Sequence, residues 1–353
     1  MTERKLNVAV LTGYWSTNVG NAFFQLGAQW ALQQVLPKAN VFLIGDEPGY
    51  WCVRRGNPDN ALDYAAHLDI DAIALLGPFV RPEAPKIVGN LLRSVREKGI
   101  KLIILAAGMM QYDKATIQLA RDLLADIRPV VFTSRDTETY ESIGDLAENA
   151  YDGIDVATFV SDLFQPVPTD LPDYVTLNFD QIPEPTFVRG SAKGTAFEWE
   201  DETWAAVHPR LRTELSYKSR AFPFLEAFLP RRQGPTKLGP YAIVRTDHRY
   251  NPFLPRRSYH DPNTYVGDIP HSYLNIYANT ACTFSNRVHA CVATTAYGNP
   301  AMLFTRSPRA YLLKRLGLNT IKDKPTSMDM DFLREEKQGM LAWLREKLAP
   351  LRN

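Results

Sequence analysis

Short apolar runs alternate with amphipathic stretches through the first 160 or so residues of the chain. The runs NVAVLT, DAIALLG, KLIILAAG and PVVFTS, which begin at Asn7, Asp71, Lys101 and Pro129, have the length and composition of buried strands. Segments with helical spacing of apolar residues lie between them, the first from Asn21 to Leu36. Near-continuous apolar strands separated by helices predict a parallel sheet covered on both faces, which restricts this half to a doubly wound α/β fold.

A second alternation of strands and helices follows a less regular middle section. The predicted strands are YAIVRT from Tyr241, ACTFS from Ala281 and PAMLF from Pro300, and helices are predicted to begin near His271, Arg287, Pro308 and Met330. The section from about Pro166 to Pro240 is rich in proline and carries the acids Glu198, Glu200, Asp201 and Glu202. We predict two Rossmann-like domains facing across a cleft, residues 1–165 and 166–353, with an irregular insertion at about 180–240 in the second.

The charge balance excludes one large class of function. The 353 residues include forty Lys and Arg against thirty-nine Asp and Glu, a net charge of +1. Proteins that bind nucleic acid through its phosphates are usually basic, so we expect no nucleic-acid partner. With 45% hydrophobic and 22% charged residues, the composition is that of a globular protein.

Cysteine usage and hydropathy bear on location. Cys52, Cys282 and Cys291 are too few and too scattered for a disulfide framework or a zinc site. The apolar run from Leu6 to Leu11 is too short for a signal peptide core, and no run approaches the roughly 18 apolar residues that span a bilayer. We expect a cytoplasmic protein without a transmembrane segment, for which peripheral membrane contact and oligomeric state stay open.

Three polar segments follow predicted strands, where ligands bind in open parallel sheets. The first, TGYWSTNVGNA, places Asn18, Gly20 and Asn21 at a helix start that attracts anions, although an ordinary capped loop explains it equally well. The second, SRD at Ser134–Asp136, offers Arg135 to a carboxylate or phosphate, with structural salt bridging as the alternative.

The third segment, SNRVHA, is the strongest local signal. Ser285, Asn286, Arg287 and His289 lie at the start of an alanine-rich helix directly after a predicted strand. An arginine and a histidine at such a position suit anion binding and proton transfer. A lone histidine is more often structural, but this combination favours function over structure.

Positive charge is concentrated near the same end of the chain. From Arg231 to His260 there are seven Lys and Arg against one acid, and Arg245, Asp247 and His248 lie within this segment. Aromatic residues between the charges suit a small anion and a sugar ring, whereas a solvated basic face is the alternative.

SNRVHACVATTAYGNPAMLF resembles the polysaccharide pyruvyl transferase family, which shares an arginine, apolar residue, histidine, alanine motif followed by an A-x-x-x-G-x-P run. The latter part of that run is supplied here from Ala296 onward, with Gly298 and Pro300. The family's N-x-G-D is similar to Asn18–Asn21, and SRD also matches. The resemblance implies a fold like the B-type glycosyltransferases and transfer of a pyruvyl group from phosphoenolpyruvate to a saccharide, which could be lipid-linked, as a ketal with release of phosphate.

The resemblance also implies residue roles. His289 would donate or shuttle a proton, and Arg287 would hold phosphate or carboxylate. Arg135, Arg245, Ser285 and Asn286 would complete the phosphoenolpyruvate site, which is expected on the side of the second domain, with the acceptor on the side of the first. Asn18, Gly20, Asn21, Asp247 and His248 would face the acceptor. No metal or further cofactor is expected.

Asn21 departs from the family pattern, because an amide cannot act as a base where the family has a carboxylate. Asp247, His248 or His260 could replace it. Two alternative functions therefore stay open: a nucleotide-sugar-dependent glycosyltransferase on the same scaffold, and a noncatalytic relative that binds a glycan or a protein partner.

Overall fold

We analysed a computed structural model that describes residues 4–13, 15, 18–45, 64–78, 84–125, 128–190, 193–219, 221–225, 233–249 and 257–352. Cys52 and three arginines of the basic segment, Arg231, Arg232 and Arg256, lie outside the described residues.

The first sheet has six parallel strands in the order β2-β1-β3-β4-β5-β6. Its strands are β1 (Asn7–Thr12), β2 (Asn40–Gly45), β3 (Ala72–Leu76), β4 (Lys101–Ala107), β5 (Val131–Ser134) and β6 (Ala150–Tyr151). The helices of this half are α1 (Gly20–Val35), α2 (Ala84–Lys98), α3 (Lys114–Leu124), α4 (Thr137–Ile143) and α5 (Val160–Leu163), with 3₁₀ turns at Tyr64–His67, Gly144–Leu146 and Val156–Phe159. The predicted strands and the predicted doubly wound half are confirmed.

Strand alternation sorts the side chains of this sheet onto two faces. Val8 and Val10 belong to the core that contains α1, whereas Ala9 and Ile73 pack with the buried residues of α2 and α3. Both faces are therefore covered, as near-continuous apolar strands require.

The second sheet runs β11-β12-β7-β14-β15, with β13 beside β12, and all its pairings are parallel except that of β11 with β12. Its strands are β7 (Tyr174–Asn178), β11 (Lys237–Leu238), β12 (Tyr241–Asp247), β13 (Thr264–Val266), β14 (Cys282–Ser285) and β15 (Ala301–Leu303). Its helices are α6 (Arg210–Lys218), α7 (Phe222–Leu225), α8 (Pro270–Ala278), α9 (Val288–Ala296), α10 (Tyr311–Arg315) and α11 (Met330–Lys347), with 3₁₀ turns at Arg257–His260, Pro308–Ala310 and Ala349–Arg352.

The middle section is more regular than the sequence predicts. Its first strand, β7, is the central strand of the second sheet. Three further strands, β8 (Thr186–Arg189), β9 (Thr195–Trp199) and β10 (Glu202–Val207), form a separate antiparallel sheet in the order β8-β10-β9. Phe197, Trp199 and Trp204 of this small sheet pack against Val175 and Phe284 of the large one. The predicted irregular insertion is therefore wrong over this range, because these strands cover one face of the second sheet.

The helix α11 returns to the first half. Its Trp343 ring stacks on Tyr151, with centroids 5.2 Å apart, and Lys337 binds the Asp162 carboxylate at 2.5 Å. Met340 and Leu344 are fully buried in the core that contains α1. The domain division at residue 165 stays a prediction, and it falls between the last strand of the first sheet and the first strand of the second. Of the helices described, none combines the length and apolar composition needed to cross a membrane.

Candidate functional site

A cavity of about 470 Å³, counting its open mouth, lies where the two halves meet. The residues that line it come from the loop before α1 and its first turns, from the segments after β3, β5, β12 and β15, from the start of α9 and from α10: Asn18, Asn21, Phe24, Pro78, Arg135, His248, Asn286, Arg287, Val288, His289, Thr305, Arg309 and Leu312. This is the carboxyl-end position at which parallel sheets bind ligands.

Arg135 follows β5 and is buried. Its Nη1 lies 3.2 Å from Oδ2 of Asp155, which is also fully buried. A β-carbon at Gly108 would lie 2.4 Å from Nε of Arg135, so only glycine leaves room for this guanidinium. The neighbouring Asp136 caps α4 by accepting a hydrogen bond from the backbone N–H of Thr139 at 2.7 Å.

Arg287 is the residue before α9, whose free N–H groups favour an anion. Its Nε donates to Oδ1 of Asp180 at 2.5 Å. Ser285 accepts a hydrogen bond from the backbone N–H of Arg287 and thereby shapes the helix start rather than lining the cavity. The backbone N–H of Asn286 donates to the carbonyl of Asn178, which ties the same turn to β7.

His289 lies in the first turn of α9, with Nε2 3.4 Å from Oδ2 of Asp155 and its ring against Phe24. Burial lowers the pKa of His289, although Asp155 opposes part of this shift, so the imidazole is neutral at pH 7. Burial raises the pKa of Asp155, but the adjacent His289 and Arg135 side chains outweigh this effect and lower it to about 2. Asp155 is therefore a carboxylate that can stabilise His289 once the imidazole accepts a proton.

Arg309 contributes a third guanidinium to the cavity. Burial, together with the charges of Arg287 and Arg135, lowers its pKa to about 10, so it remains protonated at pH 7. Its Nε donates to Oγ of Ser307 at 3.3 Å, and no carboxylate of the described chain lies within 4.0 Å of it. Among the described residues, these three arginines therefore lie near two buried carboxylates, Asp155 and Asp180.

Unused hydrogen-bonding atoms are concentrated at this cavity. Within the described part of the chain, five residues that line it each keep one buried side-chain nitrogen or oxygen without a hydrogen bond: Asn18, Arg135, His248, Arg287 and His289. Buried polar atoms without partners are costly, so their convergence indicates a place for a polar ligand.

The structure brings together most of the residues that the sequence predicts for a site. Asn18, Asn21, Arg135, His248, Asn286, Arg287 and His289 line the cavity, and Gly20 lies against the His248 ring. Arg245 does not line it, because both its Nε and its Nη2 bind the Glu184 carboxylate at 2.8 Å. Asp247 is also outside, where it accepts from the backbone N–H of Arg249.

Other members of the basic segment do not form a common surface with the cavity. The Lys237 and His260 side chains are exposed on β11 and on the 3₁₀ turn before β13. Of this segment, Lys237, Arg245 and Arg249 are therefore not among the residues that line the cavity.

Arg309, Asp155 and Asp180 are the site residues that sequence reasoning missed. Each follows a strand of one of the two sheets, as the predicted site residues do. Asp155 and Asp180 follow β6 and β7, which the sequence does not predict, so the strand-end signal could not point to them. Among the residues described, no three His, Cys, Asp or Glu side chains form a group that could hold a metal ion.

No protein-family model matches this sequence, and no curated protein is detectably similar to it. Solved structures are similar in fold. A UDP-N-acetylglucosamine 2-epimerase matches with a TM-score of 0.51 at 8% identity, covering 98% of this chain and 90% of that one. A protein assigned the same activity, from Listeria monocytogenes, matches with a TM-score of 0.50 at 9% identity over 98% and 91% of the two chains.

The shared fold is that of the B-type glycosyltransferases. It is an α/β fold with two Rossmann-like domains, and the predicted fold class is confirmed.

The expected membership of the polysaccharide pyruvyl transferase family is wrong, since the structures that share this fold are UDP-N-acetylglucosamine 2-epimerases. The latter part of the matching motif has a structural cause. Gly298 has φ of +88°, which glycine favours, directly after α9, and Pro300 precedes β15. A helix that must end and return to a strand selects these residues whatever the ligand.

The activity that was expected from this family is wrong as well. Pyruvyl transfer, the pyruvyltransferase class and phosphoenolpyruvate with its saccharide acceptor are wrong, because these neighbours are enzymes of a UDP-sugar. The alternative, a nucleotide-sugar-dependent glycosyltransferase, agrees better with them in its ligand class, although they are epimerases.

Proposed function

We propose that this chain is an enzyme that binds a nucleotide sugar in the cavity and breaks the bond between the sugar and the diphosphate. The convergence of Arg135, Arg287 and Arg309 on one cavity at the start of α9 carries the proposal. A diphosphate offers several charged acceptor oxygens, which match unused guanidinium donors and helix N–H groups. The fold shared with UDP-N-acetylglucosamine 2-epimerases supports the same ligand class.

In the proposed reaction the arginines stabilise charge on the leaving group. The bond from the sugar C1 to the diphosphate oxygen breaks, and its electron pair stays on that oxygen beside Arg287 and Arg309. A hydroxyl of water or of an acceptor forms the new bond to C1. His289, which is neutral, accepts the proton of that hydroxyl, and Asp155 stabilises the resulting imidazolium. The chemistry needs no further cofactor, and a cytoplasmic location stays a prediction.

The first test measures the binding of UDP and of UDP-N-acetylglucosamine. Calorimetric titration gives the affinity, and thermal unfolding gives the stabilisation of the folded state by each ligand. A ligand at one hundred times its Kd should stabilise the folded state by about 2.7 kcal/mol. Arg309→Ala should weaken UDP binding by about tenfold or more, since it removes a charge-assisted contact to the diphosphate. Arg121→Ala is the matched control, because Arg121 pairs with Asp145 on the surface of the first half.

Catalysis is tested by release of UDP from UDP-N-acetylglucosamine. His289→Ala should lower release by about a hundredfold or more while leaving UDP affinity nearly unchanged. Failure of the wild-type protein to bind either nucleotide at millimolar concentration would overturn the proposal.

A further inference from the structure

The helix α6 turns its leucines to the outside of the molecule. Leu211 and Leu215 are one helical turn apart, and they are 74% and 37% exposed. Lys218, at the next turn of the same face, is also exposed. Among the described side chains of α6, those that are buried belong to Thr213 and Ser216. A helix that packs on a core and faces water has the reverse arrangement, so α6 is inverted.

The inner face of α6 does not explain this inversion. Thr213 and Ser216 each keep a buried hydroxyl oxygen without a hydrogen bond in the part of the chain that the structure describes. A buried hydroxyl without a partner and a leucine in water are both unfavourable. Rotation of the helix about its axis would relieve both costs, so the observed orientation indicates a function for the outer face.

The apolar surface continues onto the short helix α7, which is in contact with α6. Leu225, at the end of α7, is 60% exposed. Among the described leucines outside these two helices, only Leu171 is exposed to a similar degree. Leu211, Leu215 and Leu225 therefore form a leucine face on α6 and α7.

Positive charge accompanies the leucine face. The helix α6 has three basic residues, Arg210, Arg212 and Lys218. Its one acid, Glu214, pairs with Arg306 at 3.0 Å. The sequence from 208 to 232 holds six arginines and lysines against two acids, in a chain whose total net charge is +1. Leucines and local positive charge together match a surface that is anionic outside and apolar beneath, which is the chemistry of an anionic bilayer.

A lipid bilayer fits this face better than a protein partner does. Arg210, Leu211 and Arg212 are consecutive, so charge and apolar surface are interleaved rather than separated into a core and a rim. Protein interfaces are depleted of charged residues at their centre. At a bilayer surface, leucines enter the boundary between headgroups and acyl chains while arginine and lysine bind lipid phosphates, so both kinds of side chain are satisfied at once.

We propose that α6 and α7 are a membrane-docking element, which binds the surface of an anionic bilayer through the leucine face and the basic residues of α6. The element lies in the interface and does not span the bilayer. With nine residues, α6 is about 14 Å long, whereas a spanning helix needs roughly 20 residues. This inference goes beyond the proposed function and does not depend on it.

The docking element adjoins the candidate site. Arg210, Thr213 and Glu214 of α6 line a second cavity, of about 850 Å³ counting its open mouth. Thr305 lines both this cavity and the first one. The docked helix therefore lies between the bilayer and a cavity that is continuous with the proposed nucleotide-sugar site.

Co-sedimentation with vesicles tests the docking element. The wild-type protein should bind vesicles of phosphatidylcholine that contain about 30% phosphatidylglycerol, and it should bind vesicles of phosphatidylcholine alone roughly tenfold more weakly. Raising the salt concentration from about 0.1 M to 1 M should weaken binding to the anionic vesicles by about tenfold, because the Debye length falls from about 10 Å to 3 Å.

Leu211→Gln should weaken binding to the anionic vesicles about tenfold, since it removes an apolar side chain from the lipid boundary. The position is exposed and the two residues have similar helix propensities, so the thermal unfolding midpoint should not change. Leu171→Gln is the matched control and should bind like the wild-type protein. Leu171 precedes β7, whereas Arg306, which pairs with α6, follows β15, so the two lie at opposite ends of one parallel sheet.

Lys218→Glu reverses one charge of the docking element and should weaken binding to the anionic vesicles by about tenfold or more. Lys38→Glu makes the same change in net charge on an exposed residue before β2 and should alter binding by less than about twofold. UDP affinity should be the same in all four variants, because none of the substituted residues lines the first cavity.

The outcomes are decisive for the docking element. It is wrong if the wild-type protein does not bind the anionic vesicles, if it binds both kinds of vesicle equally, or if Leu211→Gln and Leu171→Gln bind alike. It is also wrong if sedimentation velocity shows self-association that Leu211→Gln abolishes, without vesicle binding, since the leucine face is then a protein interface. Vesicle binding without UDP binding would leave the docking element in place and remove the proposed function, and the converse would remove the docking element alone.

Discussion

At the scale of single residues, the arginines of the cavity differ in how fully their charge is matched. Arg135 and Arg287 each have a buried carboxylate partner, whereas Arg309 has a hydroxyl of Ser307. Removing one partner of a buried pair leaves an uncompensated charge, so the carboxylates at this site should matter for stability as much as for binding.

Asp155→Asn should therefore lower the free energy of unfolding by about 3–5 kcal/mol, because it leaves Arg135 without its anion in a buried position. The amide keeps the Oδ1 that accepts from the backbone N–H of Ala157, so the effect reports on charge. Urea unfolding measures it. Asp145→Asn breaks an exposed pair with Arg121 and should cost about 1 kcal/mol or less. Equal losses in the two variants would contradict the prediction.

The buried histidines make stability depend on pH. The pKa of His248 is about 3 in the folded state, against about 6.5 when unfolded, so between these values the unfolded chain binds the extra proton. Stability should fall on acidification by about 1.4 kcal/mol per pH unit from His248, and His289 shifts in the same direction. Asp155 adds a further loss that begins as the pH falls below its unfolded pKa of about 3.9 and is complete once the pH has fallen through about 2.

His248→Gln removes one titrating group. It should reduce the slope of the unfolding free energy against pH, between pH 6 and 4, by about 1.4 kcal/mol per pH unit. Chemical unfolding across this range measures the slope, so an overall loss of stability in the variant does not obscure the result. His67→Gln changes an exposed histidine and is the control. Identical slopes for the wild-type protein and His248→Gln would contradict the prediction.

At the scale of elements, apolar runs were sufficient to locate β1, β3, β4, β5, β12, β14 and β15, because these strands are buried and follow one another in a clear alternation with helices. The strand β7 is as buried, but it is a short run inside a proline-rich section of the sequence. Its polar atoms are satisfied by Thr280 and Thr246, which come from distant parts of the chain. No local signal in the sequence therefore indicates that this run is the central strand of the second sheet.

The hairpin of β9 and β10 has a two-residue loop, Glu200-Asp201, in which both residues have positive φ, +53° and +58°. This conformation is that of a type I′ turn, which favours glycine at its second position. Asp201→Gly should raise the free energy of unfolding by about 0.5–1 kcal/mol, as measured by urea unfolding. Ala196→Gly, in the exposed part of β9, should instead cost about 0.5–1 kcal/mol. A loss of stability in Asp201→Gly would contradict the turn assignment.

At the scale of the whole molecule, the site forms where two halves meet, which limits what the sequence could predict. Strand-end reasoning found Arg135 and the start of α9 separately. It could not show that Asp155 of the first half lies beside His289 of the second, because that contact depends on how the sheets are placed. Arg245 was predicted to bind a ligand, but it pairs with Glu184 instead. The sequence could not show this pair, because Glu184 lies in the section for which it predicted no regular structure.

One buried core crosses both halves and joins α1, α8, α9 and α11. We therefore expect the chain to unfold in a single cooperative transition, with equal calorimetric and van't Hoff enthalpies in differential scanning calorimetry. Saturating UDP should shift that transition as a whole. Two resolved transitions, only one of them shifted by UDP, would contradict this expectation.

The position of α11 has a consequence for synthesis. It packs against Tyr151 and α1, but it is translated about 180 residues after β6. At roughly 5–20 residues per second, the ribosome needs on the order of ten to forty seconds to produce it. For that interval the nascent first half lacks its final cover and exposes the surface that later buries Met340 and Leu344, so this surface is where a chaperone would bind the growing chain.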